Sequence, residues 1–153
     1  MESIPGVPMD YFDFVYSIYG IGWTTDLQGT FNNIATYLKP GGVLICSWHH
    51  TLNYCVARAA DMSCNEWDGK QLVFNRSYFD ESYFTMPVDG SEVVLCNRKI
   101  STYINALAKA GFCLEQMIEQ NDEKSLSAPD DGNVGTAKAK MLPISVCFKA
   151  RKL

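Results

Sequence analysis

Two apolar runs with an amphipathic segment between them, all within residues 12–48, limit the fold more than any other feature. Phe12-Asp13-Phe14-Val15-Tyr16-Ser17-Ile18 is aromatic, β-branched and nearly continuous in hydrophobicity, the pattern of a central parallel strand buried on both faces. After the loop Tyr19-Gly20-Ile21-Gly22-Trp23, Thr25 or Asp26 is placed to cap a helix with the apolar stripe Leu27, Phe31, Ile34, Ala35 and Leu38. Lys39-Pro40-Gly41-Gly42 stops that helix, because proline cannot continue it and glycine accepts a left-handed exit. A second strand, Val43-Leu44-Ile45-Cys46-Ser47-Trp48, follows and ends at His49-His50. Strand, helix, strand at this spacing is the βαβ unit of a parallel sheet, so the chain is an α/β protein.

The remainder repeats the alternation with one interruption. A shorter helix is expected from Thr51 to about Ser63. Gln71 to Phe79 and Ser91 to Arg98 read as strands joined by a loop that holds Pro87 and Asp89-Gly90, a hairpin or an excursion over the sheet. Ser101 is placed to cap a helix carrying Ile104, Leu107 and Ala108, which closes at Gly111 and feeds the strand Phe112 to Ile118. From about Gln120 to Leu142 large apolar residues are few, which predicts a long surface loop. Ile144 to Ala150 alternates with period two and reads as a final, antiparallel strand. The expected organisation is one domain: a lead-in loop at 1–11, a βαβα unit at 12–64, a hairpin or lid at 65–98, and a helix with the last two strands at 99–153.

Composition excludes several classes of function. With 47% hydrophobic and 20% charged residues the chain has the make-up of a folded domain, not of a disordered tail. Thirteen Lys plus Arg against seventeen Asp plus Glu leave a net charge of −4, so no global positive field draws nucleic acid or an anionic membrane. Neither is expected as a partner. The start Met1-Glu2-Ser3-Ile4-Pro5-Gly6 lacks the pattern of a secretory signal, and no run of about 18 apolar residues occurs, so a cytoplasmic chain is expected. Six cysteines without a CxxC pair, several within apolar runs, predict reduced and mostly buried thiols.

Three matches in order carry a family resemblance. Phe12-Asp13-Phe14-Val15-Tyr16-Ser17, followed by Leu38-Lys39-Pro40-Gly41-Gly42-Val43-Leu44-Ile45, resembles the second half of class I S-adenosylmethionine-dependent methyltransferases, whose fourth strand reads like FDxVxS and whose fifth is introduced by LKPGG. Arg98-Lys99-Ile100-Ser101-Thr102-Tyr103 through Leu107-Ala108-Lys109-Ala110-Gly111-Phe112 is similar to that family's helix and sixth strand. The resemblance covers nearly the whole chain. It implies a partial Rossmann-like sheet made of the family's strands four to seven, mostly parallel with an antiparallel last strand, plus a β-hairpin excursion. It also implies S-adenosylmethionine as cofactor and a small-molecule methyl acceptor. The family's glycine-rich loop and ribose-holding acid precede its fourth strand, and only eleven residues precede the matching strand here. The expectation is therefore the carboxyl-terminal half of the fold, inactive and weak in cofactor binding when alone. The alternative is a non-catalytic α/β module, derived from such an enzyme, that oligomerises or binds a partner.

By the same resemblance Ser17, Ile18 and Tyr19 lie where the cofactor's methionine and sulfonium portion passes, at the strand end where open α/β sheets bind ligands. Gly20-Ile21-Gly22 lacks the third glycine of a dinucleotide fingerprint and reads as a closely packed loop. His49 and His50, the two histidines of the chain, are the candidate catalytic base for acceptor deprotonation; the other reading is a structural histidine at a helix start. No ligand spacing supports zinc with Cys46 or Cys55, and Asp122 to Asp131 read as a solvated loop, so no metal is expected. Trp23, Trp48 and Tyr78, with Phe79, Tyr83 and Phe84, are candidates for a substrate-pocket wall. Without the family's first three strands, residues 12–18 become a sheet edge with neither lysine nor proline to discourage pairing. A homodimer through Phe12, Phe14, Tyr16 and Ile18, or else aggregation, is expected.

Overall fold

The computed structural model describes residues 6–56, 72, 74–121, 123–129 and 134–153. Strand β1 (Phe12–Ile18) leads through a short 3-10 turn (Ile21–Trp23) into helix α1 (Leu27–Tyr37) and strand β2 (Leu38–His49). Asp26 is the cap of α1, its carboxylate accepting the Gly29 N–H at 2.8 Å. The helix ends at Tyr37, before the proline, because Leu38 is already extended and sits opposite Phe12 in the sheet. Lys39-Pro40-Gly41-Gly42 thus lies within the strand, with Gly41 in the left-handed region at φ 77°.

Beyond β2 come α2 (Thr51–Cys55), the hairpin β3 (Tyr83–Val88) and β4 (Ser91–Cys96), α3 (Ile100–Lys109), β5 (Phe112–Gln120), α4 (Glu123–Ser127), α5 (Val134–Met141) and β6 (Ser145–Lys152). The sheet order is β1-β2-β6-β5. β1 and β2 are parallel, with Phe14 opposite Val43 and Tyr16 opposite Ile45. β6 runs antiparallel between β2 and β5, so β1, β2 and β5 share one direction. The last strand is antiparallel as expected, and its insertion makes the sheet mixed, with a single parallel pairing.

One face of the sheet is packed. Leu44, Cys46 and Trp48 of β2 and Val146, Phe148 and Ala150 of β6 join Phe31 and Ile34 of α1 and Tyr103 and Leu107 of α3 in the core. Burying each large side chain stabilises the fold by about 1.5–3 kcal/mol. The opposite face stays largely open among the described residues: Phe14, Tyr16 and Ile18 are exposed, and Glu115 pairs there with Lys149 and Arg151.

Five expectations for the elements need correction. The helix after β2 stops at Cys55, because Val56 is extended and bridges Phe74; residues 57–63 lie outside the described residues. The strand expected at Gln71–Phe79 is limited to that bridge among its described members. Ser77 and Asp80 bend the chain there, their side chains accepting the Phe79 and Ser82 N–H groups. The strand that pairs with β4 is Tyr83–Val88, expected as loop; Pro87 is tolerated because a two-stranded sheet consists of edges, and Asp89 and Gly90 turn at φ 48° and 79°. Lys99, not Ser101, is the cap position of α3, and the surface loop expected after Gln120 contains α4 and α5. Lys138 of α5 is buried and donates to the Asn53 and Val56 carbonyls, closing the end of α2.

Candidate functional site

β1 and β2 end side by side, and the residues that leave them form the site. Tyr19 takes a left-handed conformation at φ 50°, its N–H donating to the Ser47 carbonyl at 3.1 Å. That turn leaves Ile18 71% and Tyr19 40% exposed, with Ser17 half-buried. Gly20 to Gly22 do not form an open cradle: a Cβ on Gly22 would stand 1.8 Å from the Trp48 indole, so glycine is there for close packing. Trp23, exposed, meets the buried Trp48 edge-on at 5.4 Å.

From Tyr19 a row of ring contacts runs along the strand ends. Its ring lies 4.9 Å from His49, His49 lies 5.4 Å from Tyr54, and Tyr54 lies 5.6 Å from Phe84. Arg76 covers Phe84 with its guanidinium 4.2 Å from the ring centre. The row ends at a cavity of about 680 Å³ lined by Tyr54, Arg76, Asp80, Phe84, Met86 and Val88 among others. Arg76 pairs with Asp80 at 3.1 Å and donates to the Ser82 carbonyl at 2.9 Å. Hydrogen bonds from Ser82 hold the Asp80 carboxyl below the usual carboxylate range.

The two histidines divide sharply. His49 is the last residue of β2, whereas His50 has left the strand and stands at the cap position of α2. His49 faces the rings of Tyr19, Trp48 and Tyr54. His50 is 4% exposed; its Nδ1 accepts the Leu52 N–H at 3.2 Å, and its Nε2 lies 2.8 Å from Glu119 Oε1. An Nδ1 that accepts carries no proton, so Nε2–H donates to the carboxylate. Both ring nitrogens of His50 are therefore engaged, and the residue caps the start of α2.

Of the expected pocket wall, Trp23 and Trp48 stand at the Tyr19 end of the row, while Tyr78 packs edge-on to Phe79 at 5.5 Å; none of the three lines the described cavity. Tyr54, Arg76 and Glu119 are site residues that sequence reasoning missed. Glu119 lies 69 positions from His50, beyond any local pattern, whereas Tyr54, in the short apolar segment just after the histidines, carried a readable signal. Among the described residues no group of three or more His, Cys, Asp and Glu side chains is placed to hold a metal ion; Asp122, Asp130 and Asp131 lie outside them. Burial pushes the Cys46 thiol up to about 12, helped by Cys147, which removes it as a nucleophile at neutral pH.

Comparison with known proteins gives a consistent picture. A family described as a methyltransferase domain matches residues 2–116. The fold superposes on a Listeria monocytogenes protein provisionally described as an S-adenosylmethionine-dependent methyltransferase, with a TM-score of 0.78 and 22% identity over 99% of this chain and 66% of that one. An S-adenosylmethionine-dependent methyltransferase from Mesorhizobium loti follows, with a TM-score of 0.71 and 20% identity over 99% of this chain and 67% of that one. This chain therefore spans about two thirds of the length of both. No curated protein matches it in sequence.

Proposed function

Since the chain belongs to the methyltransferase domain family, we propose that it carries the acceptor side of an S-adenosylmethionine-dependent methyl transfer to a small molecule. In this reading β1, β2, β5 and β6 take the roles of the family's strands four to seven. The observation that carries the proposal is the row of rings from Tyr19 through His49 and Tyr54 to the cavity beside Phe84. A volume of about 680 Å³ lies within the range of small-molecule sites.

The residues at the end of β1 fit one part of the cofactor. Ile18 and Tyr19 are exposed there beside the half-buried Ser17, and the Tyr19 ring offers an electron-rich face to a sulfonium cation. When bound, S-adenosylmethionine supplies an electrophilic methyl group. The chain's own residues then do the rest. Tyr54, Phe84 and Met86 form an apolar wall against which the acceptor is oriented, which favours a transfer that depends on alignment. His49 is not among the cavity-lining residues and stands between Tyr19 and Tyr54, so it takes the acceptor proton where the acceptor's reacting group reaches out of the cavity toward Tyr19. His50 positions this wall: with Glu119 it fixes the start of α2, and hence Tyr54.

Amide and imidazole resonances of the isotope-labelled chain, followed as S-adenosylmethionine is added to about 10 mM, test the reading. Shifts are expected at Ile18, Tyr19 and the His49 ring, with the His50 ring and α5 unmoved. Shifts confined to other elements, or none at all, would overturn it and favour a non-catalytic module.

A further inference from the structure

We propose that Arg98 is a positioning residue that holds the two sides of the candidate site at a fixed separation, its guanidinium tying down the turn after Tyr19 and its carbonyl the start of α2. The proposal rests on the reading of that site as one for methyl transfer. Arg98 is 6% exposed and enters no ion pair among the described residues. A buried guanidinium without a carboxylate is costly, and its Nη1 also has no hydrogen-bond partner among the described residues. Core packing alone favours an apolar side chain at such a place, so the contacts that Arg98 does make are what set it apart.

Those contacts reach both sides. Arg98 Nη2 donates to the Thr24 carbonyl, and the Arg98 carbonyl accepts the Thr51 hydroxyl at 2.8 Å. Asn97, 2% exposed, adds its Nδ2 to the Cys55 sulfur at 3.3 Å, so one dipeptide grips the first and last residues of α2 with Tyr54 between them. The Thr24 hydroxyl is engaged by Asp26 and Thr30, which leaves its carbonyl to Arg98. Thr24 directly follows Trp23, and the turn that it closes rests on the Trp48 indole through Trp23 and Gly22. Tyr19, at the start of that turn, meets Trp48 at 6.2 Å and His49 at 4.9 Å. A displaced Thr24 therefore moves the Tyr19 end of the row, and a displaced Thr51 moves the Tyr54 end. Because methyl transfer depends on the alignment of its two reactants, the residue that ties both ends to one point sets the distance that they keep.

Side-chain resonances of the isotope-labelled full chain test the proposal without any cofactor, so its failure is distinct from a failed S-adenosylmethionine titration. In the native chain the guanidinium protons of Arg98 are expected to exchange slowly with water and to show a nuclear Overhauser contact to Thr24. Arg98→Met, which keeps the apolar stem and removes the donors, is expected to shift the Trp23 indole signal and to weaken the contact between the Tyr19 and His49 rings, with the circular dichroism spectrum unchanged. Arg98→Lys, which keeps an ammonium for the Thr24 carbonyl, is expected to disturb both less. Thr51→Val is expected to move the Tyr54 ring signals and to leave the Trp23 indole in place. Freely exchanging Arg98 protons, a Tyr19–His49 contact unchanged in Arg98→Met, an Arg98→Lys effect as large as that of Arg98→Met, or a Tyr54 ring unmoved by Thr51→Val would each overturn the proposal. Where Arg98→Met does not fold, the native-chain contact and Thr51→Val decide by themselves.

Discussion

Glu81 stands outside helix α3 and takes the place of its missing side-chain cap. One carboxylate oxygen accepts the Lys99 N–H at 2.9 Å and the Thr102 hydroxyl at 2.6 Å, and the Lys99 ammonium lies 3.1 Å from the other. Burial alone would push this carboxyl up; the bonds from Thr102 and Lys99 outweigh it and hold the group below the usual glutamate range. A depressed native-state pKa adds stability that is present above the unfolded-state value of about 4.3 and is lost as pH falls through the native value. Glu81→Gln is therefore expected to cost about 1 kcal/mol at pH 7, about 2–4 °C in melting temperature, and the gap to the native chain should narrow at about pH 3. Urea unfolding at both pH values measures it; an equal gap at both would show that the charge contributes nothing. Neither this contact nor the His50–Glu119 pair was legible in the sequence. Each joins residues at least 18 positions apart, whereas the Asp26 cap, which acts on Gly29, was.

At the scale of elements the legible parts are those whose periodicity and partners are local. α1, the start of β5 and the alternation of β6 follow from such local patterns, whereas β1, read as a central strand buried on both faces, is a strand whose Phe14, Tyr16 and Ile18 are exposed at the end of the described sheet. The hairpin was misplaced because Pro87 reads as a strand breaker until it is known that β3 pairs only with β4 among the described residues. That same limited pairing sets its stability. An isolated two-stranded sheet is marginal in water. Among the described residues β3 and β4 are tied to the body by side chains, not by sheet pairing: the Tyr83 hydroxyl to the Thr25 carbonyl at 3.1 Å, Phe84 against Tyr54, and Leu95 in the core. β2 and β6 are flanked by strands on both sides and line the core. Native-state hydrogen exchange is therefore expected to show β3 and β4 amides opening together, at least about tenfold less protected than those of β2 and β6. Equal protection in both groups would mean that the hairpin unfolds only with the sheet. Opening of the hairpin also opens the cavity wall formed by Phe84 and Met86, so the proposed acceptor site lies in the more mobile part of the fold.

For the molecule as a whole, the proposed cofactor contacts cluster at one corner: Ser17, Ile18 and Tyr19 at the end of a strand that pairs only with β2 among the described residues. A cation–π contact contributes about 0.5–2 kcal/mol, and each net hydrogen bond about 0.5–1.5 kcal/mol. Against these stands the loss of translational and rotational freedom, at least about 4 kcal/mol. A few contacts at one end of a ligand the size of S-adenosylmethionine leave little surplus, which corresponds to dissociation constants of about 1 mM and a free energy of about −4 kcal/mol. The Gly20 to Gly22 turn does not add to it, because Trp48 fills the space in front of Gly22. Titration calorimetry on the purified chain is thus expected to give a dissociation constant no tighter than the high micromolar range. Tyr19→Ala should abolish measurable heat, and His50→Asn, which retains a side-chain acceptor at the start of α2, should leave it unchanged. A low-micromolar constant would require about 4 kcal/mol more than the corner supplies. It would mean that further residues of this chain close over the ligand, and the one-ended site would be the wrong description.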